Sequence, residues 1–409
     1  MYQRRRITVW NLIISLTIAY TIMPIVSRFI STYLTTYFYL LVVGIVFLGL
    51  VFGDGVRSLN EYAGGVLLPF ILFQGLSFFN RADSIVIWGY SVLLALLPVA
   101  VGYYVTQYQI YDVPFYSRAI VFMMLATAIT TCYGLIRFPF AARVLATIAS
   151  SQDAAAITYN WNNIGGYDFI YFLVLLYPIL IMAYKQRRIN FVFTIVGTIL
   201  IFTAVILSEY TIALLLLLIS SLLFFVKRNL RKTDVVILVV VAILFIALFS
   251  DSVSRWLSEL STLTDSETMA ERLNSLAGGQ AGLESSESER IFLYRRSFST
   301  FLSHPLFGTF LSGGGGVGGH SFILDTLGQY GLIGAVLLFS MYRKVFRWFV
   351  QPFENEAGYG FVLWAFAQAI LLSCVNTGMW LNIIAMMVPI LVCAIYRYGE
   401  VTYEDSLDY

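Results

Sequence analysis

The sequence predicts an all-α integral membrane protein with about 12 transmembrane helices and a large outer loop between the ninth and tenth. Three observations carry that prediction. Of 409 residues, 59% are hydrophobic and only 12% charged, with a mean hydropathy of +0.81, far outside the range of a domain with a water-facing surface. Apolar runs of spanning length recur along the whole chain. The Lys and Arg residues between those runs are unevenly shared between alternate segments.

A helix needs roughly 20 mostly apolar residues to cross about 30 Å of hydrocarbon, and shorter runs suffice inside a bundle. Runs meeting this standard lie near 9–27, 37–53, 62–79, 85–105, 119–136, 168–184, 190–208, 211–226, 234–250, 320–341, 358–375 and 379–396. The first follows a basic start, MYQRRR, but has no small-residue cleavage site, so it reads as a retained helix and not as a signal peptide. The seventh and eighth are separated only by Ser208-Glu209-Tyr210, a tight helical hairpin. With both ends on the inner side, the inner segments hold sixteen Lys and Arg residues and the outer segments nine. Basic residues are retained on the cytoplasmic side, so this orientation is the expected one.

Seven of the nine outer basic residues fall in two long loops, 137–167 and 251–319. Loops of that length usually have a role. The second turns from polar to amphipathic, and a helix is expected near 287–303. Ser285 or Ser286 would cap it, Glu287 and Glu289 would favour its first turn, and His304-Pro305 would end it. Ile291, Phe292, Phe298, Phe301 and Leu302 would form an apolar stripe along the membrane surface or the top of the bundle. The chain reads as a single polytopic domain over 1–409 without a visible internal repeat.

Composition also excludes function classes. A net charge of +2 from scattered basic residues gives no nucleic-acid footprint. Two histidines and three separate cysteines make no metal cluster, so neither metal nor cofactor is expected; Cys132, Cys374 and Cys393 read as buried apolar packers. No G-x-S-x-G nucleophile motif occurs. Gly314–Gly319 spells G-x-G-x-x-G, but no strand precedes it, and no Lys-Ser/Thr pair follows to make a P-loop.

The candidates for chemistry gather in the second loop. Glycines at 313–316, 318 and 319 lead to His320, at the outer end of the tenth run. They read as slack, yet glycines also let backbone N–H groups face an anion, or let a bulky substrate approach the next residue. An unperturbed imidazole titrates at about pH 6.5 and can take a proton from a hydroxyl. Arg290, Arg295 and Arg296 lie within two turns of one helix, and Arg137 and Arg143 in the first loop can join them. Guanidinium groups grip phosphate oxygens in pairs and need no metal to do so; as a bland alternative, the cluster is a solvated face pairing with Glu284, Glu287 and Glu289. The spacing of Asp153, Asp168 and Asp325 favours no carboxylate pair. Tyr159, Trp161 and Tyr167 suit an interfacial belt or sugar stacking.

From Glu289 to Gly334 the order of elements resembles the O-antigen ligase and Wzy-type polysaccharide polymerase superfamily. The elements are Arg290 leading a helix, Pro305-Leu306-Phe307-Gly308, the glycine stretch, His320 opening a helix, and Gly331-Leu332-Ile333-Gly334. The match covers about 45 residues, and the twelve runs and large outer loop agree with it. The resemblance implies a metal-independent glycosyltransferase of the bacterial cytoplasmic membrane, acting at its outer face on oligosaccharides carried by undecaprenyl pyrophosphate. A chain-length regulator and a flippase would be its protein partners. It implies His320 as the base that deprotonates the acceptor hydroxyl and Arg290 as the grip on the donor pyrophosphate.

The sequence departs from the family at one place. A Ser-Arg expected near the middle of the chain is replaced by Ser208-Glu209, so a second phosphate-binding arginine must come from Arg295, Arg296, Arg143 or Arg137. Glu209 becomes a candidate acceptor-binding or auxiliary basic group. The missing Ser-Arg favours a repeat-unit polymerase over a ligase that transfers glycan to a lipid A core. A lipid-linked oligosaccharide transporter would require charged or helix-breaking residues at mid-membrane, and apart from Glu209 the charges lie near span ends. A peptidoglycan glycosyltransferase of the shape, elongation and division kind would lack the Gly-rich histidine signature.

Overall fold

A computed structural model describes residues 9–33, 44, 68–81, 97–107, 112–139, 141–147, 154–225, 231–243, 259, 283–310, 316–376 and 381–404. The expected span near 37–53 lies outside them except for Gly44. So do the beginnings of those near 62–79 and 85–105, the end of that near 234–250, and all of 251–282 but Glu259. Among the described residues the regular elements are helices, with no strand. In chain order they are α1 (Val9–Ile22), α2 (Pro24–Tyr33), α3 (Leu68–Arg81), α4 (Val113–Arg137), α5 (Ala141–Thr147) and α6 (Ala154–Trp161). They continue with α7 (Tyr167–Lys185), α8 (Phe191–Ser208), α9 (Thr211–Ser221), α10 (Leu283–Ser303), α11 (Phe322–Phe349), α12 (Tyr359–Val375) and α13 (Leu381–Glu404). Residues 97–107 and 232–243 are also helical.

This is an all-α membrane protein. Four of the described helices, α4, α7, α8 and α11, are long and apolar enough to cross a bilayer, or five spans if the bent pair α1 and α2 counts as one. The run expected as one span over 9–27 is bent by 109° between Ile22 and Pro24. Pro24 has no amide hydrogen to continue the ladder, and its ring disfavours a helical conformation at Met23. The amphipathic helix expected near 287–303 begins earlier, at Leu283, so Ser285 and Ser286 are inside it and do not cap it. Cys132 and Cys393 are buried as expected, but Cys374 is exposed near the end of α12.

Apolar packing alone gives little specificity among helices immersed in lipid, so the bundle is pinned by buried polar pairs. Trp364 Nε1 and Gln368 Nε2 both donate to Ser220 Oγ, at 3.0 and 2.7 Å, joining α12 to α9. Tyr342 and Ser373 hydroxyls share a bond of 3.0 Å between α11 and α12. Tyr116 donates to Asn11 Oδ1 at 2.7 Å, fixing α4 to α1.

The described end of the 137–167 loop is tied to the helices by side-chain bonds. Asn163, left-handed at φ 53°, uses its side chain as a rivet. Its Oδ1 accepts from Ile25 N–H at 3.3 Å, and its Nδ2 donates to Thr130 Oγ1 at 3.0 Å. Gly165 N–H donates to Thr131 Oγ1 at 2.8 Å. The end of α4 and the start of α7 are thereby held together.

These contacts orient the bundle. Gln186, just past α7, donates to Ala357 O, just before α12, so α7 and α12 run antiparallel with Lys185 and Gly358 at one end. That end carries Lys185, Arg187, Arg188, Arg231, Lys232, Arg343, Lys344 and Arg347. The opposite end carries the described residues of the 137–167 loop, the turn between α8 and α9, and the end of α12.

Candidate functional site

At that opposite end α10 and α11 form a hairpin docked on the end of α12. Tyr294 donates from its hydroxyl to Val375 O at 3.3 Å, and Phe322 N–H donates to Asn376 O at 2.9 Å. The hairpin has two fastenings, and each involves residues of the motif.

The first splices a turn into a broken helix. Within α11, Gly331 departs from helical geometry at φ 61° and ψ −154°, which frees backbone groups on either side. The Pro305–Gly308 turn takes them up: Leu332 N–H donates to Pro305 O at 2.8 Å and Ile333 N–H to Leu306 O at 3.3 Å. In return Thr309 N–H donates to Gly328 O at 3.1 Å. The backbones approach so closely that a Cβ on Gly331 would lie 2.4 Å from Leu306 O, and one on Gly308 2.3 Å from the Gln329 carbonyl carbon. Both glycines have positive φ. Gly331→Ala therefore meets backbone strain of about 1–3 kcal/mol before any clash is counted. The expected result is a lower thermal unfolding midpoint for the detergent-solubilised protein.

The second fastening is a carboxylate clasp. Asp325, in the first turn of α11, is buried, as are Ser297 on α10 and Ser321 at the N-cap. Asp325 Oδ1 accepts from Ser297 Oγ at 2.6 Å and from Gly319 N–H at 3.2 Å, while Oδ2 accepts from Ser321 N–H at 3.1 Å. Gly318 N–H donates to Ser297 Oγ at 2.9 Å, and Thr300 Oγ1 donates to Gly316 O at 2.6 Å. Ser321 Oγ caps α11 by accepting from Leu324 N–H at 3.2 Å. A carboxylate is well placed here, because the helix N-terminus presents unpaired N–H groups and the positive end of the helix dipole.

This arrangement corrects two expectations about the glycines. Gly316, Gly318 and Gly319 are strapped to α10 and Asp325 and are not slack; Leu311 to Gly315 lie outside the described residues. The amides of Gly318 and Gly319 are already donated internally, so they do not form an anion cradle. The other reading of the glycines fits: space beside Gly319 is open, with no atom within 4 Å of where its Cβ would be, and His320 next to it is exposed.

The candidate arginines separate by register. Arg290 precedes Leu293, Tyr294 and Ser297 by three, four and seven residues in the register of α10; Tyr294 and Ser297 bond α12 and the loop. Arg296 is one turn before Thr300, whose hydroxyl bonds Gly316 O, and is exposed. Arg295 lies about 200° around the helix from Ser297 and is exposed, among Phe292, Phe298 and Leu302, which are also exposed. The expected stripe thus leaves most of its apolar residues uncovered.

The remaining candidates sit on a second support at the same end. Arg137 is exposed in the last turn of α4, its guanidinium 5.3 Å from the Phe138 ring centroid, and Arg143 is on α5. Glu209 is buried in a left-handed turn between α8 and α9, at φ 62°. Beside it Tyr210 donates to Ala142 O at 2.7 Å and packs against Tyr167 and Tyr171, with centroids 5.2 and 5.8 Å away. Trp161 meets Tyr33 at 6.2 Å. His320 and the three α10 arginines are therefore on one hairpin, while Arg137, Arg143 and Glu209 are on α4, α5 and the α8–α9 turn. Among the described residues no group of three His, Cys, Asp or Glu side chains has metal-holding geometry.

No protein-family model matches the chain, and no curated protein matches it in sequence.

Proposed function

We propose that the chain is a metal-independent glycosyltransferase of the bacterial cytoplasmic membrane, a surface-polysaccharide polymerase with twelve spans and both termini inside. It transfers a growing glycan from undecaprenyl pyrophosphate to the next lipid-linked repeat unit. One observation carries the reading: an exposed histidine is held by a buried clasp at one end of a membrane bundle, beside the helix α10 that carries Arg290. His320 takes the proton of the acceptor hydroxyl as that oxygen attacks the anomeric carbon. The bond to undecaprenyl pyrophosphate breaks, and Arg290, assisted by Arg296 in place of the missing Ser-Arg arginine, stabilises the charge on the departing diphosphate. The concentration of basic residues at the opposite end supports an outward-facing site.

The test is incubation of the purified protein with a synthetic undecaprenyl-pyrophosphate-linked repeat unit, followed by electrophoresis of the glycan. A ladder is expected. A single band at the input size, in the absence of any lipid A core, overturns the polymerase reading. Register also sorts the variants: Arg290→Ala is expected to lower the rate about 100-fold or more, as loss of a transition-state charge contact does. Arg295→Ala, on the far face, should stay within about threefold of the parent, in line with a rim charge.

A further inference from the structure

At the basic end, opposite His320, the helical segment 232–243, the second half of α11, and α12 line an open cavity of about 870 Å³. Its walls include Val235, Val239, Phe346, Leu363, Phe366 and Ile370, and its mouth carries Lys232, Arg343, Arg347 and Glu354. The volume falls within the range of about 300–1,000 Å³ typical of sites for small organic ligands. Phe339, Arg343, Phe346 and Arg347 recur at i, i+4, i+7 and i+8, so one face of α11 supplies both apolar wall and charge.

The charges at the mouth are not equally available. Lys232 pairs with Glu354 and lies 6.0 Å from the Tyr359 ring centroid. Arg343 and Arg347 are exposed and form no ion pair or hydrogen bond with another described residue. Three cations against one carboxylate leave the mouth positive. A soluble anion would use the arginines but gain nothing from the walls, whereas an uncharged chain would fill the walls and leave the arginines unmatched. A molecule with a hydrocarbon chain and an anionic head satisfies both, and basic pockets between membrane helices at a cytoplasmic surface bind such headgroups.

We propose that this cavity binds an anionic membrane lipid, with an acyl chain between the 232–243 helix and α12 and its phosphate on Arg343 and Arg347. The site is separate from the His320 hairpin and does not depend on the glycosyl-transfer reading. The test is native mass spectrometry of the full chain in detergent, titrated with phosphatidylglycerol, with phosphatidylcholine of the same acyl chains, and with inorganic phosphate. Retained phosphatidylglycerol is expected, with weaker phosphatidylcholine and no retained phosphate. Arg343→Gln with Arg347→Gln should weaken phosphatidylglycerol roughly thirtyfold, as loss of two surface cations does. Val239→Trp, which fills the cavity but keeps every charge, should also weaken it, while Arg187→Gln with Arg188→Gln, at the same end but outside the cavity, should not. Equal binding of phosphatidylcholine, equal retention of phosphate, or parent affinity in the Arg343/Arg347 or Val239 variant overturns the proposal.

Discussion

His320→Ala is expected to lower the rate of glycan transfer by about 10²- to 10⁴-fold, the usual worth of a positioned general base. The same change should shift stability by no more than about 0.5 kcal/mol, because the side chain is exposed and lies outside the buried clasp. The two measurements together make the result informative. Initial rates with the synthetic lipid-linked repeat unit report the chemistry, and thermal unfolding in detergent reports the fold. A variant that unfolds at the parent temperature and extends glycan at the parent rate removes His320 from the mechanism. Raising solution pH should not rescue the variant fully, since free hydroxide lacks the position that the end of α11 provides.

Asp325→Ala is expected to have the opposite profile: a large effect on the fold of the hairpin and, through it, on activity. The substitution removes the acceptor of Gly319 N–H and Ser321 N–H and leaves Ser297 Oγ–H only its 3.3 Å contact with Leu293 O. A buried donor stripped of its partner costs about 1–3 kcal/mol; the buried Ser321 N–H incurs this in full, while exposed Gly319 can turn to water, against a stability of only about 5–15 kcal/mol in an ordinary domain. Hydrogen exchange at Gly318, Gly319 and Ser321 should accelerate before exchange in α4 or α7 changes. Asp325→Asn is the discriminating variant. Its remaining oxygen can still accept from Ser297 and Gly319, but its NH₂ faces the Ser321 N–H donor, so partial protection and partial activity are expected. If exchange in Asp325→Ala matches the parent, the clasp does not hold the loop.

The helical membrane class was legible because hydropathy acts through composition and run length, which need no tertiary information. The tight hairpin at Ser208–Tyr210 was legible for the same reason. The bend at Pro24 is not legible in the same way, because the apolar run continues through it and hydropathy is blind to a missing amide hydrogen. Asp325 appeared as one more carboxylate without a partner, although Ser321 four residues earlier marks a helix start at which an acid would be useful. Its true partners, Ser297 and Gly319, are set by the packing of α10 on α11, and no spacing rule encodes that pair. The glycine stretch misled in a related way. A glycine is required both where a chain is loose and where two backbones nearly touch, and Gly318, whose Cβ would lie 2.3 Å from Leu293 O, belongs to the second case. The Pro305–Gly308 turn and Gly331 stand in a readable order along the chain, but only their backbone bonds give that order a physical reason.

The fastenings of the α10–α11 hairpin also carry a timetable. Thr300 to Gly316, Ser297 to Asp325 and Pro305 to Leu332 each close over a short stretch of chain, and such local contacts form fast because little chain entropy is lost. They are complete once α11 has been synthesised. The Tyr294 and Phe322 bonds to Val375 and Asn376 must wait for α12, which follows later in translation. A nascent chain halted within α12 would therefore hold a finished clasp with no floor beneath it.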